Sequence, residues 1–102
     1  MEKFKAYSVE ELSKELDLIY REAGSLEDSD DRIEIGQIIF DEENEVIVDV
    51  YLTHYKNVNM ISTDVDDNVY MLEYGAAVAV AEDLFDDLYN IIYVEEEDPE
   101  NN

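Results

Sequence analysis

The chain predicts an α+β fold in which an antiparallel sheet of three to four strands packs against an N-terminal and a C-terminal helix. Three observations carry that prediction. Apolar residues recur every three or four positions near both ends of the chain, the spacing of a helix with one buried face. Between those stretches they alternate with polar residues, the period of a half-buried strand. Of the 102 residues, 46% are hydrophobic, with eight Tyr and three Phe, so the chain can build a core in spite of a net charge of −23. Acidic disordered chains are poor in such residues. A chain of this length buries a core without disulfides or metal, and residues 1–94 read as one α+β domain.

In order, residues 1–7 form a short leader carrying Lys3 and Lys5. Ser8 and Glu11 stand three apart, as in a capping box, and start the first helix. Val9, Leu12, Leu16, Ile19, Tyr20 and Ala23 make its apolar stripe, Lys14 and Arg21 partly balance its acids, and Gly24 is expected to end it with a left-handed cap. Residues 25–31, SLEDSDD, read as a polar loop whose acids and serines give it no reason to pack.

Two β-patterned runs follow, Arg32–Phe40 and Glu45–Tyr55, separated by the polar Asp41-Glu42-Glu43-Asn44, and together they read as a hairpin. In the second run Val46, Val48, Val50 and Leu52 form one firmly apolar face. A weaker third run covers Asn57–Val65, and a fourth, Val69–Tyr74, follows the turn-prone Asp66-Asp67-Asn68. Alternatively Asp67 caps one long helix that absorbs Val69–Tyr74, but this places Gly75 inside a helix at a cost of about 1 kcal/mol, and strand then helix is preferred.

The last periodic stretch, Ala76–Asp98, is the most acidic. Ala77, Val80, Ala81, Leu84, Leu88, Ile91 and Ile92 form its stripe, leaving Glu82, Asp83, Asp86 and Asp87 side by side on the solvent face. From Val94 onward the chain reads VEEEDPENN, and residues 95–102, with Glu95, Glu96 and Glu97, are expected to form a disordered acidic tail.

Catalysis finds little to use. There is no cysteine, and the single histidine, His54, has no second histidine with which to build a nucleophilic or metal site. General acid–base work needs a carboxyl set apart by an apolar pocket, and these carboxylates are crowded together. The three glycines, at 24, 36 and 75, are too isolated to cradle a phosphate. Asp64-Val65-Asp66-Asp67-Asn68 opens like a calcium-binding loop, D-x-D-x-N, yet Val69 stands where Gly is needed and Gly75 where Glu is needed. No enzyme, cofactor or metal is expected. With no apolar run of signal-peptide length and none near the ~20 residues of a membrane span, the expected location is cytoplasmic.

Charge is the outlying quantity. Residues 1–56 hold 16 acids and all 6 bases, whereas residues 57–102 hold 13 acids and no base. Such a surface repels nucleic acid and anionic membranes and speeds association with basic partners. Like charges at i,i+4 destabilise a helix by roughly 0.2–0.5 kcal/mol per pair, so the acidic face of the last helix works against stability. Helix residues three or four apart stand about 5–6 Å apart, close to the spacing of phosphates along a nucleic-acid strand. The candidate partner-binding residues are Asp64, Asp66, Asp67, Glu82, Asp83, Asp86, Asp87, Glu95, Glu96 and Glu97.

In its small size, lack of cysteine, acidity, tyrosine content and α-sheet-α order, the whole chain resembles the acidic DNA-mimic inhibitors of phages and mobile elements: anti-restriction proteins, anti-CRISPR proteins and uracil-DNA glycosylase inhibitors. The resemblance lies in overall character and not in a motif, so it assigns no role to a single residue. It implies a cytoplasmic phage-type protein that occupies the nucleic-acid site of a basic DNA- or RNA-binding enzyme, does no chemistry, and binds neither nucleic acid nor membrane itself. An immunity or antitoxin protein that neutralises one basic toxin is the competing expectation. Either is compatible with a monomer or a homodimer.

Overall fold

A computed structural model describes residues 3–94. Its order is β1 (Phe4–Ala6), α1 (Val9–Ala23), β2 (Ser29–Asp41), β3 (Val46–Tyr55), β4 (Val58–Thr63), β5 (Val69–Met71) and α2 (Ala77–Tyr89), with a π-helical turn, Asn90–Val94, continuing α2. The α+β class is as expected. The five strands follow chain order across one sheet.

Helix α1 starts at Ser8, whose Oγ accepts from the Glu11 amide at 3.1 Å. Glu11 reaches back one residue further than an ordinary capping box and accepts from the Tyr7 amide at 2.7 Å. Leu12, Leu16, Ile19 and Ala23 are buried on its core side, as the stripe predicts. Gly24 departs from expectation. Its φ of −63° is right-handed, and the chain leaves the helix through successive turns in which the Ser25 and Leu26 amides donate to Glu22 and Ala23.

Two polar segments join the sheet, and the first of them, as an added parallel strand, makes it mixed and five-stranded in place of three to four antiparallel strands. The leader supplies β1, parallel to β2 with Phe4 opposite Gly36 and Ala6 opposite Ile38. Only Phe4 and Ala6 point inward, and both are buried; two apolar residues are too short a pattern to read as a strand from sequence. Gly36 makes the pairing possible, because a Cβ there would overlap the Phe4 ring. The expected loop 25–31 gives its last three residues to β2, with Ser29 paired to His54. Register shifts at both ends of that pairing and between Glu34 and Gly36 break the strict alternation.

The remaining pairs are antiparallel. The β2–β3 turn is held by Asp41, which accepts from the Asn44 amide and side chain, and Glu45 ends it at φ 57°, outside the strand predicted to begin there. Lys56 and Asn57, at φ 53° and 64°, form a two-residue hairpin turn between β3 and β4. Residues Val69–Met71 are a strand, so the single long helix is excluded. Gly75, at φ 76°, then makes the left-handed step into α2.

Both helices pack on one face of the sheet, where Val48, Val50, Leu52 and Ile61 meet Leu12, Leu16, Leu84 and Leu88 in one fully enclosed core. The opposite face has no covering element among the described residues. By register it presents Ile47, Tyr51, Thr53 and Tyr55 of β3, Met60 and Ser62 of β4, and Val69 and Met71 of β5.

Candidate functional site

Among the described residues, the carboxylates singled out in the sequence fall into two groups, one on α2 and one in the β4–β5 connection. On α2, Val80, Ala81, Leu84 and Leu88 are buried, which turns Glu82, Asp83 and Asp86 straight outward. Val78, 56% exposed, precedes Glu82 by one turn, and Tyr89, 54% exposed, follows Asp86 by one turn. The result is a row of carboxylates ending in an aliphatic and an aromatic side chain. Among the described residues no Lys or Arg lies within salt-bridge distance of any of these acids.

Asp87 does not belong to that row. It lies seven residues after the buried Val80, two turns on in the same line, so it sits at the edge of the core side and is half-buried. There its carboxylate accepts from the Tyr70 hydroxyl at 2.6 Å, tying α2 to β5. Burial, and then this bond, push the Tyr70 phenol well above its ordinary value. The i+7 relation to Val80 was the available signal. A second tyrosine acts similarly at the far end of the helix, where the π turn carries Tyr93 over Phe40, ring centroids 5.9 Å apart. Its hydroxyl donates to Asp41, which raises the Tyr93 phenol and holds the Asp41 carboxyl below the usual range.

Asp64, Asp66 and Asp67 lie in the β4–β5 connection with separate roles. Asp64 accepts from the Asp49 amide at 3.1 Å and so extends the β3–β4 ladder past the last paired residue. Asp66 holds the turn, accepting from the Asn68 amide and side chain at 3.1 and 2.9 Å. Asp66 and Asp67 both border a groove of about 350 Å³ on the open face of the sheet. Thr53, Tyr55, Met60, Ser62 and Val69 line it, and Asp30 and Arg32 from β2 close its other side. Arg32 lies over the Tyr51 ring, 4.2 Å from its centroid, and reaches the Thr63 carbonyl at 3.4 Å without pairing with a carboxylate. Ser62 is only 8% exposed and has no side-chain hydrogen-bond partner among the described residues. Sequence reasoning missed this groove, because its acids come from two distant segments and Asp30 lay in an expected loop.

His54 is buried and structural. Its Nδ1 meets Asn59 Oδ1 at 2.6 Å across the β3–β4 pair, and Nε2 lies 3.9 Å from Asp28. No cluster of three or more metal-ligating side chains occurs among the described residues, and no helix there is long and apolar enough to cross a membrane. Glu95, Glu96 and Glu97, with the rest of the expected tail, lie outside the described residues. No protein family, curated protein or solved structure matches this chain.

Proposed function

We propose that the chain is a stoichiometric inhibitor that presents phosphate-like negative charge to a basic DNA- or RNA-binding protein, such as a host defence or DNA-processing enzyme, and occupies its nucleic-acid site. The observation that carries this reading is the unpaired row Glu82, Asp83 and Asp86 on the exposed side of an amphipathic helix. Asp86 stands three and four residues from Asp83 and Glu82, with Cβ atoms about 5–6 Å away, and repels both. Val78 and Tyr89 at the ends of the row supply the apolar and aromatic contact area on which protein interfaces draw. Asp87, engaged by Tyr70, is left out of the contact set.

The test begins with affinity purification of the partner and a competition assay. Duplex or single-stranded nucleic acid should displace the protein from its target, and binding should weaken steeply with salt, because the attraction is screened within about 8–10 Å near physiological ionic strength. Replacing Glu82 with Gln and Asp83 and Asp86 with Asn should then cost on the order of 1–3 kcal/mol of binding for each desolvated contact and much less at the rim. Full affinity in the triple variant would refute the assignment to this face. A partner that binds nucleic acid and this protein together would point to neutralisation away from the nucleic-acid site, as in an immunity protein.

A further inference from the structure

We propose that the groove on the open face of the sheet receives an arginine side chain of the cationic partner, an inference that rests on the proposed binding of a basic protein. Three independent features converge there. Asp30, Asp66 and Asp67 place three carboxylates around an opening that holds one cation, Arg32, and none of the three is within salt-bridge distance of it. Ser62, nine-tenths buried in the groove, has a hydroxyl with no partner among the described residues. Met60 and Val69 provide apolar walls, and the Tyr55 ring, with the Lys56 ammonium 5.2 Å from its centroid, already receives a cation there.

A guanidinium fits this combination better than an ammonium. Its planar fork donates several parallel hydrogen bonds, which suits carboxylates on the rim and a hydroxyl acceptor inside. Its flat face stacks on tyrosine, and its methylene stem covers apolar surface while the head stays near polar groups. The protein already holds one guanidinium in this way next to the groove, where Arg32 lies 4.2 Å from the Tyr51 ring centroid. Carboxylates alone would give only diffuse attraction. The buried hydroxyl and the apolar walls give the groove a shape that selects among cations.

The test uses the full chain, ¹⁵N-labelled and titrated with Nα-acetylarginine N-methylamide, with the citrulline and lysine analogues as controls. Saturable amide shifts are expected at Thr53, Met60, Ser62 and Val69, absent with the neutral citrulline analogue and clearly weaker with lysine. Asp30→Asn together with Asp67→Asn, both at exposed positions, should weaken arginine binding about tenfold, the effect of losing charged hydrogen bonds. Ser62→Ala should weaken it without altering the shifts that arginine causes elsewhere. Non-saturating shifts spread over acids on both sides of the sheet, equal responses to lysine and arginine, or an unaffected double variant would each overturn the proposal. Since the probe is a single amino acid, a groove that fails to bind it leaves the competition and α2 experiments to stand or fall separately.

Discussion

Helices α1 and α2 lie on the same face of one sheet and are built by opposite rules. Helix α1 has a side-chain cap, Glu10 and Glu11 in its first turn, Arg21 in its last, and an Arg21–Asp17 pair at 2.7 Å on its exposed face. Each of these suits the helix dipole or satisfies a free amide. Helix α2 begins at Ala76 with no side-chain cap, has no acid in its first turn and no base in its last, and gathers its exposed acids in mid-helix, where they repel. It therefore depends on its buried stripe and on tertiary ties to a degree that α1 does not. The same chain encodes a locally well-stabilised helix in α1, and the exposed side of α2 does without those devices.

The largest test of that contrast is in the core. Leu84 and Leu16 are both fully buried, and replacing either with Ala should cost about 2–5 kcal/mol. The consequences for local order should differ. With no cap to hold its first turn, α2 should lose amide-exchange protection from both ends inward in Leu84→Ala, whereas α1 should keep its first turn in Leu16→Ala. Equal loss of protection in the two variants would break the comparison. At the next scale, Ser8→Ala removes the cap that α2 lacks and should lower stability by about 1 kcal/mol in a denaturant titration.

The Tyr70–Asp87 bond is one of the ties that replace local stability in α2, and its loss in Tyr70→Phe should cost about 1.5–3 kcal/mol at neutral pH, the range for a hydrogen bond to a charged group. Its pH dependence has a definite sign. Folding raises the Tyr70 phenol above its ordinary value of 10.0, through burial first and the Asp87 bond second. The fold thus favours the protonated form. That contribution is complete below the unfolded value and is lost as pH rises from there toward the higher folded one. Thermal melts should fall more steeply above about pH 10 for the native chain than for Tyr70→Phe. Parallel curves would show that the bond contributes nothing in solution.

How much of this was legible depended on whether a residue's position followed from local period. The stripe of α1, the Ser8 cap, the apolar face of β3 and the strand-then-helix order around Gly75 all did, because each rests on residues a few positions apart. Strand β1 was hidden, since its evidence is the pairing of Phe4 with Gly36 across the length of α1. The start of β2 was hidden because Ser29–Asp31 is polar and joins the sheet through backbone pairing near His54, with register shifts that spoil alternation. At the candidate site, Glu82, Asp83 and Asp86 were readable from period alone. The role of Asp87 required knowing that Tyr70 lies across from it, and the groove required the β2 and β4–β5 segments to meet.

The smallest expected effect divides α2 most finely. Asp86 and Asp87 are chemically identical neighbours, but one turns to solvent in a row without cations and the other accepts a hydrogen bond at the edge of the core. Asp86→Asn relieves repulsion with Glu82 and Asp83, four and three residues away, so stability should rise by roughly 0.2–0.5 kcal/mol per relieved pair. Asp87→Asn relieves repulsion with Asp83 as well, but it replaces a charged acceptor with a neutral one opposite the Tyr70 hydroxyl. Since hydrogen bonds to charged groups contribute about 1.5–3 kcal/mol against about 1 for neutral ones, the loss should outweigh the relief and leave a net destabilisation. In the Tyr70→Phe background that penalty should disappear, and Asp87→Asn should become neutral or mildly stabilising, like Asp86→Asn. Chemical denaturation of this double-mutant cycle measures the difference directly. Same-sign effects for both aspartates in the native background would place Asp87 back in the solvent row and return it to the set of carboxylates offered to the partner.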